Sequence, residues 1–164
     1  MKFIIEKTSL LSKLQLLSKA TPSRTTLPII RSALFTYKKN TLNIRTTDLE
    51  ISINISCIIE KGEDGSVAIP LGKLLEITNA LPETSINISV SDIGKVNIEC
   101  NSGKYTIMGH SHEEFPTQQT IENSKKFIVS TEELKDIIMN TTYAASRDDL
   151  KPVLQGVLFQ IEKE

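Results

Sequence analysis

Few residues of this chain stand where chemistry would need them. His110, His112 and Glu113 have the types and the x-spacing of metal ligands, but no second ligand cluster accompanies them. A zinc site needs three or four converging donors, so no metal is expected. Asp48 and Glu50 in TTDLE share a strand face two residues apart, yet no base, cation or metal ligand attends them. Hydrogen bonding at a hairpin accounts for them better than acid–base catalysis. The chain has no G-x-x-x-x-G-K and no G-x-S-x-G. No catalytic residue and no cofactor is expected.

What remains is charge. Residues 1–25 hold Lys2, Lys7, Lys13, Lys19 and Arg24 against the single acid Glu6, a local balance of +4. The whole chain, with 19 Lys+Arg and 20 Asp+Glu, has a formal net charge of −1. Overall charge therefore gives no pull toward nucleic acid, whereas the N-terminal stretch does. Arg24 lies in a Ser/Thr/Pro loop directly after an amphipathic run.

The elements that hold these residues repeat. Shifting the sequence by 124 superposes 3–35 on 127–159 without a gap. Phe3, Ile4, Leu10, Ala20, Pro28, Leu34 and Phe35 then meet Phe127, Ile128, Leu134, Ala144, Pro152, Leu158 and Phe159. A shift of 64 places Phe3, Ile5, Leu10, Leu11 and Leu17 on Val67, Ile69, Leu74, Leu75 and Leu81. Matches at apolar and turn positions mark a buried framework used more than once.

Each start predicts a short strand running into a helix. Leu10, Leu14 and Leu17 follow i, i+4, i+7, as do Leu134, Ile137, Ile138 and Thr141 with i+3 added. Ser130 and Glu133 have capping-box spacing. A shorter helix is expected over about 71–80, with Pro82 preventing its continuation. Alternation predicts strands at Leu49–Cys57, Ile86–Val90 and Val96–Cys100, with turns at Lys39–Asn40, Asp92–Gly94 and Asn101–Gly103. The expected unit is strand–helix–strand–strand–strand, twice over 2–109, with a third use cut short after one helix and one strand. Such a piece rarely builds a core unaided, which suggests part of a longer protein or the product of a shortened gene.

Composition agrees with an α+β protein whose core rests on Ile, Leu and Val: aromatics are 5% and Trp is absent. Two cysteines, Cys57 and Cys100, do not make a disulfide framework. MKFIIEK is too short an apolar stretch for a signal or a span, so a cytoplasmic location and no membrane partner are expected.

MKFIIEKTSLLSKLQLLSK, TLPII, TTDLEISI, VAIPLGKLLEITNALPE and HEEFP, in this order and spacing, resemble the start of the bacterial DNA polymerase III β subunit family, the sliding clamps. The resemblance covers the whole chain. It implies a DNA-clamp fold, with helices on the inner face and antiparallel sheets outside, and no catalysis. Residues 1–120 would form the first clamp domain, 121–125 a linker, and 126–164 the beginning of a second.

The implied partners are double-stranded DNA held without regard to sequence, the polymerase III catalytic subunit, the clamp loader, and a second chain closing a homodimeric ring in the full-length form. By the same resemblance Arg24 would contact phosphate, with Lys13, Lys19 and Arg147 as further candidates. Arg147 is opposed by Asp148 and Asp149. Lys151, Pro152 and Leu154 would form one edge of a pocket for partner peptides, although core packing explains Leu154 equally well. Lys73, Leu74, Ile77, Lys104, Tyr105 and Ile107 would lie at the ring interface. The rival reading is a stand-alone β-rich protein-interaction module that cannot close a ring.

Overall fold

The computed structural model describes residues 1–22, 24–91, 93–118, 126–148 and 150–161. The chain divides into two compact units, residues 1–118 and 119–164. The expected linker 121–125 lies outside the described residues.

In the first unit, β1 (Lys2–Glu6) leads straight into α1 (Lys7–Leu17), followed by β2 (Ser32–Lys38), β3 (Thr41–Thr47) and β4 (Ser52–Ile58). After a two-residue strand, β5 (Gly62–Glu63), the same order returns as β6 (Gly65–Pro70), α2 (Leu71–Ala80), β7 (Ser85–Val90), β8 (Lys95–Cys100) and β9 (Gly103–Met108). The fold is α+β with antiparallel sheets, as the repeat implies.

The sequence pattern did not disclose which strands pair. One sheet has the order β5-β1-β7-β8-β9 and the other β4-β3-β2-β6. Each repeat thus gives its first strand to the sheet of the other. The register is the same both times. Phe3 faces Ile88 and Ile5 faces Ile86, while Val67 faces Phe35 and Ile69 faces Ala33. Alternation assigns side chains to faces but is silent about partners.

The core follows the repeat closely. Leu10 and Leu74 are both fully buried, and so are Leu14 and Thr78. The Thr78 hydroxyl escapes the cost of burial by donating to the Leu74 carbonyl at 2.7 Å. Phe3 stacks near Phe35 and Tyr37, with centroids 6.4 and 6.3 Å away. Close approach requires glycine at 62, where a Cβ would lie 2.6 Å from the Lys2 carbonyl oxygen and the Tyr37 ring.

Turn chemistry trims one expected strand. The alternation beginning at Leu49 suggests a strand from there, but β4 starts at Ser52. Asp48 Oδ1 accepts the amides of Glu50 and Ile51 at 3.0 and 2.6 Å, and Leu49 is driven to φ 82°. TTDLE is a hairpin turn stabilised by its own carboxylate. At the preceding hairpin Lys39 and Asn40 take φ 50° and 62°, the conformation two-residue β-hairpins favour.

The E-F-P motif has a packing role. Phe115 is buried with Ile29, Ile30 and Ala68. The Arg45 guanidinium lies 5.2 Å from its ring centroid and donates through Nη2 to the Pro116 carbonyl.

In the second unit α3 (Thr131–Thr141) begins with the expected capping box. Ser130 Oγ accepts the Glu133 amide at 3.1 Å, and Glu133 Oε2 accepts the Ser130 amide at 3.3 Å. The 124 shift carries α1 onto α3 residue for residue. It also carries the 3-10 turns Ser18–Ala20 and Pro28–Arg31 onto Thr142–Ala144 and Pro152–Gln155. Two expectations fail here: 127–129 is not a strand, and the described residues after α3 up to 161 contain none. A strand needs a ladder, and neither segment belongs to the two sheets formed among the described residues.

Candidate nucleic-acid interface

The basic stretch is built on α1. Leu10, Leu14 and Leu17 are fully buried, each contributing about 2 kcal/mol by removal from water. That fixes which face remains outside: Thr8, Ser12, Gln15, Leu16 and, one turn on, Lys19 are exposed. Between α1 and β2 the chain spends residues 18–31, whereas 81–84 suffice between α2 and β7. The extra length is the loop bearing Arg24. From Lys7 to Arg31 there is no acidic residue. That acid-free run is the clearest sequence signal of the surface, and it extends past Arg24 to Arg31.

The structure sorts these cations. Lys7 is buried and ion-paired with Glu83 at 2.8 Å, so its charge is spent within the domain. Lys13 is half-buried and donates to Ser9 Oγ at 2.8 Å, lying along the flank of α1. Lys19, Arg24 and Arg31 are exposed and, among the described residues, form no ion pair. Lys19 also stands in the last turn before the loop, where helix carbonyls favour a cation. Exposed hydroxyls and an amide at Thr8, Ser12 and Gln15 line the approach. The polar stripe was missed from the sequence because hydrophobic spacing locates the inner face and leaves the outer one as remainder.

α2 packs beside α1 in the same unit. Its outer face is close to neutral, since Lys73 pairs with Glu76 at 3.3 Å. The positive character is therefore local to α1 and its loop. Such a surface offers point charges and small donors to a polyanion, with nothing shaped to read bases.

The other expected residues separate. Leu74 is fully buried, so it packs the core of its own domain and offers no surface to a partner. Ile77 and Ile107 are half-buried, and Tyr105 is exposed. Lys104 pairs with Glu99 at 2.6 Å. Among the described residues β9 is an edge strand bonded to β8 alone, leaving one row of backbone groups open to pairing.

In the second unit Arg147 is exposed. Asp148 turns into its own loop, where its Oδ1 accepts the Leu150 amide at 3.0 Å. Asp149 lies outside the described residues. Lys151, Pro152 and Leu154 are exposed at the start of a 3-10 turn. Leu154 is 52% exposed where its counterpart Ile30 is 3%, so core packing does not occupy it here.

Among the described residues no three of His, Cys, Asp and Glu come together to hold a metal ion. His110 spends its backbone on a bridge to Ala68. No helix among them is long and apolar enough to cross a membrane.

The family described as DNA polymerase III beta subunit, N-terminal domain, matches residues 1–119. The beta sliding clamp of Halalkalibacterium halodurans is 31% identical over 99% of this chain and 45% of its own length. That of Vibrio cholerae is 27% identical over 99% of the chain and 44% of its own. The solved DNA polymerase III subunit beta of Pseudomonas aeruginosa superposes with a TM-score of 0.88 at 28% identity, covering 95% of this chain and 43% of that one. The sliding clamp of Bacillus subtilis gives 0.87 at 26%, over 93% and 42%. The chain spans less than half the length of these relatives.

Proposed function

Because the chain belongs to the DNA polymerase III beta subunit family, we propose that it works without catalysis, as the first sector of a sliding clamp on duplex DNA. The observation that carries this reading is the acid-free run on the outer face of α1, ending in the exposed Lys19, Arg24 and Arg31, which form no ion pair among the described residues. Exposed cations without base-reading geometry suit phosphate contacts that hold the duplex loosely and let it move. Arg24 and Lys19 are the principal contacts, and Lys13 is a lesser one. Arg147 serves the same purpose from the second unit.

In a longer form the chain would close head to tail with a second copy. The edge of β9 with Lys104, Tyr105 and Ile107, and the α2 surface at Lys73 and Ile77, would meet that copy. The closed clamp would tether the polymerase III catalytic subunit after placement by a clamp loader, with Lys151, Pro152 and Leu154 at the edge of a partner-peptide pocket. No cofactor is required, and the setting is the cytoplasm.

The test is a titration of fluorescent duplexes of unrelated sequence at low salt. Equal, weak affinities that fall with added salt support the reading. A strong preference for one sequence, or no binding at the lowest salt, contradicts it.

A further inference from the structure

Beyond the loop that carries Arg24, the chain makes the 3-10 turn Pro28–Arg31 and enters β2 at Ser32, which stands opposite Pro70 at the end of β6. Pro70 is also the N-cap of α2. Proline has no side-chain oxygen with which to cap a helix. α2 accordingly has no side-chain cap, and no acidic residue lies in its first turn. α3, by contrast, has its capping box with Glu132 and Glu133. The first turn of α2 therefore keeps the positive end of the helix open to an anion.

A cavity of about 450 Å³ lies at this end, its border including Arg31, Ser32, Pro70, Gly72, Lys73 and Glu76. Ser32 is 2% exposed. Its amide is spent on the Ile29 carbonyl, and its hydroxyl makes no hydrogen bond among the described residues. A buried hydroxyl is ordinarily paired, and an acceptor in the cavity would satisfy this one. Packing does not demand glycine at 72, where a Cβ would meet nothing within 4 Å; its effect is to leave the turn uncovered. Lys73 is paired with Glu76 at 3.3 Å, so the charges of that pair offset each other. Arg31 is exposed and forms no ion pair among the described residues. Arg31 and Gly72 also border a smaller hollow of about 200 Å³ with Ser18 and Thr21, toward α1.

We infer that this cavity seats a phosphate group. The planar fork of Arg31 matches two of its oxygens, the Ser32 hydroxyl donates to one, and the open first turn of α2 receives another. The seat is distinct from the outer face of α1 and goes beyond the proposed function. A backbone phosphate of a duplex and a free phosphate share this chemistry, and competition between them tells the source.

Amide shift mapping of the isotope-labelled 164-residue chain tests it, with inorganic phosphate added at an ionic strength held constant by sodium chloride. Shifts at Ser32, Gly72 and Lys73 should saturate. Arg31→Ala should weaken phosphate about tenfold and Ser32→Ala about threefold. Ser32→Ala should leave thermal unfolding unchanged, because the hydroxyl bonds nothing in the fold. Gly72→Asp should abolish phosphate binding while raising the unfolding temperature, since a carboxylate in the first turn takes the place of the anion. Displacement of phosphate by a duplex with 5′-hydroxyl ends would assign the seat to backbone phosphates. Phosphate that stays bound would assign it to a free phosphate, and the seat stands either way.

No saturable shift, the same response to chloride alone, or full phosphate affinity in Arg31→Ala overturns the proposal, whether or not the chain binds duplex. Shifts at Lys19 and Arg24 in place of Ser32 and Gly72 would give the phosphate to α1 and overturn it as well.

Discussion

Removing Lys19 and Arg24 should change how duplex binding responds to salt more tellingly than it changes affinity at one condition. Each phosphate neutralised contributes about 0.9 to the slope of log K against log salt, so raising salt fourfold weakens each contact about 3.5-fold. With Lys19 and Arg24 both engaged, the wild-type slope has a floor of about −1.8, and the same fourfold rise costs roughly twelvefold in affinity. Arg24→Ala and Lys19→Ala should each bring the slope about 0.9 closer to zero. Lys7→Met provides the contrast, since its ammonium is held by Glu83 at 2.8 Å: the slope should stay put. The assay is fluorescence anisotropy of a short duplex at four or more salt concentrations. A double variant that keeps the wild-type slope, or a Lys7→Met variant that loses as much as Arg24→Ala, refutes the assignment of these cations.

Other consequences concern the domain itself. Leu10→Ala and Leu74→Ala, fully buried at matching positions, should each cost about 2–5 kcal/mol in denaturant unfolding; a cost under 1 kcal/mol at either would deny the repeat its shared core. The amide of Ile51 above all, then that of Glu50, holds the Asp48 carboxyl below its usual value. A carboxyl depressed on folding adds stability that is complete above the unfolded value and lost as pH falls toward the folded one. The difference between wild type and Asp48→Ala should therefore shrink below about pH 4, and a difference constant down to pH 2 would exclude the carboxylate. A hydrogen bond with Ser102 lowers the Cys100 thiol, while burial raises that of Cys57. Iodoacetamide near pH 8 should label Cys100 first by mass spectrometry; preferential labelling of Cys57 would contradict this.

Much of the fold was legible because apolar spacing sets which side of each element is buried. The 64 shift named residues that prove equally buried, Leu10 with Leu74 and Leu17 with Leu81. The 124 shift located α3, and the structure adds 3-10 turns at matching positions on its C-terminal side. Partnership was not legible: nothing in Phe3 or Val67 announces that each strand crosses to the other repeat's sheet. The surface was half legible. Charge bias drew attention to residues 1–25, but only coordinates separate Lys7, neutralised by Glu83, from Lys19 and Arg24. Leu74 misled for a related reason, since an apolar residue beside a lysine on a helix reads alike whether it faces a partner or the core. Leu49 misled through the Asp48 turn, which overrides an alternation that otherwise spells a strand.

Amide shift mapping of isotope-labelled protein on adding duplex DNA examines the central claim directly. Shifts confined to α1 and its loop, at Thr8, Ser12, Gln15, Lys19 and Arg24, with Ser56, Asn97 and Thr106 on the sheets unmoved, are the predicted result. Shifts centred on those sheet residues, with α1 silent, would contradict it.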